Sequence, residues 1–157
     1  MRKINNIIIH CSDSAWGCTR EIRQWHLQKG WKDVGYHFTL LNGYILSKYY
    51  LSCLDGMIEC ARFLDEDLYI EQNEVGAHTL GYNDCSIGIC LIGIKDFTIP
   101  QMSSLIELLK GLIDIYNINP EGIIGHYETE SGKAQGKTCP NFDVRPIREM
   151  LRGGEYS

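Results

Sequence analysis

Apolar and polar positions along the chain alternate between strand-like and helix-like patterns. "KINNIIIHC" is a β-branched run that predicts a buried strand over residues 4 to 10. Thr19 is placed to cap the helix "TREIRQWHLQKG". Its apolar positions Ile22 and Trp25 keep helical spacing, with Lys29 a looser third, and Gly30 stops it. "GYHFTLL", residues 35 to 41, alternates as a strand does. "MIECARF" predicts another strand, and "YILSKYYLSC" an extra strand or extended hairpin between the turn signals Asn42-Gly43 and Asp55-Gly56. "CSIGICLIGI", residues 85 to 94, is apolar throughout and predicts a central strand buried on both faces. From Pro100 a helix repeats Met102, Leu105, Ile106, Leu109, Leu112, Ile113 and Tyr116. "EGIIGHYE" predicts a short strand over residues 122 to 126, and "FDVRPIREMLR" a last helix before a frayed tail, residues 153 to 157.

The order β-α-β-β-β-α-β-α predicts an α/β fold, a mixed central β-sheet with helices packed on its faces. At 157 residues, without repeat or linker, one domain spanning 1–157 is expected.

Composition narrows the function. A net charge of −5 argues against a general nucleic-acid binder, which needs a basic face. No segment is long and apolar enough to span a bilayer. The run Ile7 to Ile9 is too short for a signal-peptide core, so the expected location is the cytoplasm of the producing cell. Seven cysteines, an odd number without a secretory signal, predict reduced thiols rather than a disulfide framework.

One of those cysteines lies in "GKTCPNFD", two residues after a lysine and just before a proline. His10 and His126 each end a predicted strand, and Cys139 follows in a loop. Two imidazoles and a thiol are ligand types that zinc takes, and three protein ligands leave a fourth position open, as in catalytic sites. The spacing matches no self-sufficient motif, and histidines at strand ends are often ordinary core or surface groups. Cys139 as nucleophile with His126 as base is the competing chemistry. His26 reads as a helix-surface residue, and His37 as a strand residue without a special role. His78, in the glycine-flanked loop "GAHTLGYN", could be delivered to a cleft. Tyr36 and Lys137 can both donate hydrogen bonds to an oxyanion. Taken alone, they read as a core tyrosine and a solvated loop lysine.

"IIIHCSDS", "REIRQWHLQKGWKDVGYHF", "EVGAHTLGYNDCSIGICLIG", "GHYE" and "KTCPNFD" together resemble the zinc-dependent N-acetylmuramoyl-L-alanine amidases. This family shares its fold with the peptidoglycan recognition proteins, and the likeness is strongest to its small phage-lysozyme members. The resemblance runs in order through roughly residues 4 to 148. It implies Zn2+ as cofactor, with His10, His126 and Cys139 as metal ligands, Tyr36 and Lys137 as catalytic residues, and His78 as a substrate contact. Glu128, beside His126, is a candidate for acting on the attacking water. The implied substrate is peptidoglycan or its muropeptide fragments, in cell-wall lysis or recycling. A monomer is expected, and without an export signal it would act on the wall after release by other factors. A non-catalytic peptidoglycan-binding module on the same fold is the alternative from another functional class. Residues 43 to 56, 65 to 74 and 128 to 136 extend beyond the family pattern and are expected to border the cleft.

Overall fold

The structure, a computed structural model, describes residues 1–153. The expected frayed tail therefore lies, apart from Gly153, outside the described residues. Five strands form the main sheet: β2 (Asn6–Cys11), β3 (Phe38–Asn42), β4 (Asp55–Cys60), β6 (Ser86–Leu91) and β7 (Ile123–Gly125). Their order is β4-β3-β6-β2-β7, with the predicted central strand in the middle. β3, β6, β2 and β7 run parallel, and β4 is antiparallel on the edge. This is the mixed sheet expected. A separate antiparallel pair, β1 (Arg2–Lys3) with β5 (Tyr69–Ile70), has only two residues per strand and gives no periodic signal.

Alternation along the strands separates two apolar layers. On one face Ile7, Ile9, Ile87, Ile89 and Leu91 pack against Leu105, Leu109 and Leu112 of α2 (Ile99–Tyr116) and Ile147 and Leu151 of α4 (Arg145–Arg152). On the other face Leu41, Cys90 and Ile92 meet Ile22 of α1 (Thr19–Gln28). Helix α2 starts at a capping box, in which Thr98 Oγ1 accepts from the Gln101 amide and Gln101 Oε1 from the Thr98 amide. Gln101 Nε2 then donates to the carbonyls of Leu40 and Ile92, which pins the helix to the sheet.

Two expectations become more specific. The segment "YILSKYYLSC" adds no further strand and takes the hairpin alternative: it joins β3 to antiparallel β4, with one isolated bridge, Leu46 with Tyr49, and a 3-10 turn over Ser52–Leu54. Tyr44, Leu46, Tyr49, Tyr50 and Leu51 are exposed, and only Ile45 packs against the second apolar layer. The stretch 128 to 136 is not simply a longer loop. It contains the short helix α3 (Glu130–Ala134).

Candidate metal centre and active-site cleft

Strand β2 delivers His10 after three fully buried isoleucines. Its neighbour β7 pairs in parallel with Ile9 opposite Gly125, so the residue after β7, His126, comes up beside His10. The two rings sit 4.6 Å apart, centroid to centroid. Beyond His126 the chain makes a tight excursion. Thr129 Oγ1 donates to the His126 carbonyl and accepts from the Gly132 amide, which caps α3. A Cβ on Gly132 would lie 2.0 Å from the His126 carbonyl oxygen, so only glycine allows this fold-back. Gly136, at φ 66, turns the chain again, and the Lys137 amide donates to the Gly132 carbonyl. The Tyr127 amide then donates to the Cys139 carbonyl, and Cys139 Sγ ends 3.2 Å from His126 Nδ1.

One ligand atom each from His10, His126 and Cys139 lies within 4.8 Å of the other two. Donors at zinc-bond lengths in a tetrahedron are separated by about 3.5 Å, so this trio needs little movement to share one ion. Two imidazoles and a thiol are a fitting donor set for zinc. The Cys139 thiol is pulled well below its ordinary pKa by a hydrogen bond from the neighbouring Cys11, then by His10 and His126. It is therefore held as the thiolate that a metal requires. Burial lowers the pKa of His10, which keeps that imidazole neutral and its lone pair available.

These groups floor a cleft of about 800 Å³. Tyr36 stands against His10 with ring centroids 5.1 Å apart. Burial, followed by the surrounding cysteines, raises the pKa of its phenol, so it remains a proton donor at neutral pH. Lys137 lines the same cleft from its exposed mouth. His78 lines it too, with its ring edge-on to His10. The six predicted site residues thus gather in one place.

Three expectations are corrected by the geometry. His26 is not on the helix surface. It is 6% exposed, accepts from the Gly35 amide at Nδ1 and packs on Trp31 and Tyr36, because the buried face of α1 runs through Thr19, Ile22 and His26. Glu128 faces away from the cleft and holds the Gly125 amide and Arg148. Of the three extended segments only 128 to 136 reaches the cleft, through Gln135 and Gly136. Residues 43 to 56 join β3 to the edge strand β4, at the opposite side of the sheet from β7. His37 is a core residue, buried between the Gly88 amide and the Glu74 carbonyl.

Cys11, Cys90 and Ser86 were not anticipated at the site. Cys90 sits opposite His10 in the β2–β6 register and is hydrogen-bonded to Tyr36. A continuous apolar strand hides such a neighbour, since a buried cysteine reads as one more small hydrophobe.

The family model described as N-acetylmuramoyl-L-alanine amidase matches residues 1–142. The chain belongs to this family. It is therefore a hydrolase, an N-acetylmuramoyl-L-alanine amidase. The endolysin of Escherichia phage T7 is 37% identical over 152 residues, covering 88% of this chain and 82% of that protein. Among solved structures, the N-acetylmuramoyl-L-alanine amidase LysC from Clostridium intestinale superposes with a TM-score of 0.73 at 27% identity, covering 96% of this chain and 86% of that one. Drosophila PGRP-LB superposes at 0.59 with 26% identity, covering 91% and 85%. The amidase is thus built on the fold it shares with peptidoglycan recognition proteins.

Proposed function

We propose that this amidase is a single-domain zinc enzyme of the lytic kind, cleaving the amide between the lactyl group of N-acetylmuramic acid and the L-alanine of the stem peptide in peptidoglycan. The observation that carries the zinc assignment is the meeting of His10, His126 and Cys139 ligand atoms at the floor of the cleft. The endolysin relatives support wall lysis rather than fragment recycling as the role.

When bound, zinc supplies Lewis acidity and makes water acidic enough to attack near neutral pH. His10, His126 and Cys139 would hold it. Attack on the amide carbonyl creates an oxyanion. Tyr36, kept protonated by its burial, donates a hydrogen bond to it, and the Lys137 ammonium adds a second donor with a full charge. Trp31 and Leu80 line the cleft and offer exposed apolar surface to a substrate.

The 3.2 Å contact between His126 and Cys139 would also suit a thiol nucleophile with its base. A second imidazole within ligand distance of the same sulfur favours the metal. The deciding experiment is mass spectrometry of purified peptidoglycan after incubation with zinc-loaded protein, with metal analysis of the same sample. Free stem peptides beginning at L-alanine, together with one zinc per chain, are expected. Release of those peptides by metal-free protein would transfer the role to the thiol, and absence of release by zinc-loaded protein would overturn the proposed reaction.

A further inference from the structure

The ring of His78 has both nitrogens committed, and the direction of each hydrogen bond can be deduced. Ser86 Oγ donates its single proton to the Tyr82 carbonyl at 2.7 Å. It also lies 3.3 Å from His78 Nε2, and there it can only accept. His78 therefore carries its proton on Nε2 and a lone pair on Nδ1. That lone pair faces His10 Nε2 at 3.0 Å. Two lone pairs do not meet at this distance, so His10 Nε2 is the donor. The remaining nitrogen of His10, Nδ1, then holds the lone pair. Thr79 Oγ1 touches both rings, 3.1 Å from His78 Nδ1 and 3.3 Å from His10 Nε2. It can donate to the first or accept from the second, and both leave the assignment unchanged.

We propose that His78 is a positioning residue for the metal centre: the ordered chain from His10 through His78 and Ser86 to the Tyr82 carbonyl fixes His10 in its Nε2–H form and turns Nδ1 to the ion. This rests on the zinc reading above and takes it one shell outward. Metal-bound histidines commonly need such a partner on the second nitrogen to set tautomer and ring orientation.

The surroundings of His78 are built to hold it still. The amides of His78 and Thr79 both donate to Asn83 Oδ1 at 2.9 Å, which folds the loop on itself. Gly88 lies directly beneath the ring, where a Cβ would come within 2.7 Å of His78 Cγ. Only 8% of His78 is exposed, which leaves little of the ring for a substrate.

The test compares zinc dissociation constants, measured against a chromogenic chelator, for wild type, His78→Leu, His78→Asn and Ser86→Ala. Long-range 1H–15N NMR of the wild-type histidine rings accompanies it. Both His10 and His78 should be protonated on Nε2. His78→Leu should weaken zinc binding by about 10- to 100-fold. His78→Asn, which restores an acceptor near the Nδ1 position, should recover most of that loss, and Ser86→Ala should fall between. A proton on His10 Nδ1 would overturn the proposal, whether or not the variants fold. So would an unchanged zinc affinity in folded His78→Leu, or a raised KM with zinc affinity intact, which would make His78 a substrate contact instead. Wild type that takes up no zinc would remove the metal reading itself, whereas zinc-binding wild type with an indifferent His78→Leu would remove the positioning role alone.

Discussion

Arg148 Nη1 donates to Glu128 Oε1 at 2.7 Å, and this pair ties the last helix to the turn that presents His126. The same arginine nitrogen reaches the Ile123 carbonyl, and the same carboxylate oxygen accepts the Gly125 amide. Both side chains are largely buried, at 11% and 23% exposure. The carboxylate therefore braces the backbone on either side of β7 and has no part in activating water. Glu128→Gln should cost about 1–3 kcal/mol of stability in urea denaturation. Its turnover rate for stem-peptide release should stay near wild type at a temperature where it is folded. A fall in turnover by about two orders of magnitude in folded protein, the scale of a lost catalytic group, would return Glu128 to the chemistry.

Cys139→Ala removes one of the three proposed metal donors, the thiolate among them. Zinc content after dialysis should drop from one per chain to near zero, and amide hydrolysis with it. Chelation of wild type should give the same loss, and added zinc should reverse it. Retained zinc in Cys139→Ala, read by atomic emission, would show that the sulfur is not a ligand.

Tyr36→Phe and Lys137→Ala each delete one proposed donor to the oxyanion and leave the proposed metal ligands in place. Each should lower kcat by about 10²–10³ with zinc content unchanged. A change confined to KM would reassign the residue to ground-state binding.

Acid should destabilise the fold before it removes any carboxylate pairing. Burial lowers the pKa of His37 to about 4 from 6.5, and burial with nearby Lys29 does the same to His26. In unfolded chain these imidazoles take up protons as pH falls below 6.5, while in the folded protein they stay neutral down to about 4. Their contribution is thus complete above pH 6.5 and is lost as pH falls towards 4. For the fully buried His37 alone it is on the order of 3 kcal/mol. Melting temperature followed by circular dichroism should fall across that window. A flat profile between neutral pH and the folded-state value of about 4 would contradict it.

Long periodic elements were legible from the chain because burial imposes their pattern. α2 spans Ile99–Tyr116, where the repeat of Leu105, Leu109 and Leu112 had put it, and the all-apolar run marked the middle strand. Of the two readings of segment 44 to 53 the hairpin held and the extra strand did not, because aromatic and branched residues favour strands only when a partner and a layer are available. α3 was hidden because five residues, ESGKA, show no amphipathic stripe. Its start depends on Thr129 and its tight return on Gly132. The gathering of His10, Tyr36, His78, His126, Lys137 and Cys139 followed from family resemblance, not from spacing, since parallel pairing of β2 with β7 joins residues more than a hundred positions apart. Directional detail, such as the commitment of His78 to His10 or of Glu128 to Arg148, needs coordinates.

The 13-residue excursion from His126 to Cys139 has both of its ends among the proposed metal ligands. An ion held there would act as a cross-link, closing a short loop that otherwise costs conformational entropy, a term of about 3 kcal/mol for a covalent bridge of that span. Lys137 rides on this loop. Metal loading would therefore tighten a segment whose fold-back the Lys137 amide to the Gly132 carbonyl and the Tyr127 amide to the Cys139 carbonyl already hold, and would steady the ammonium that it carries.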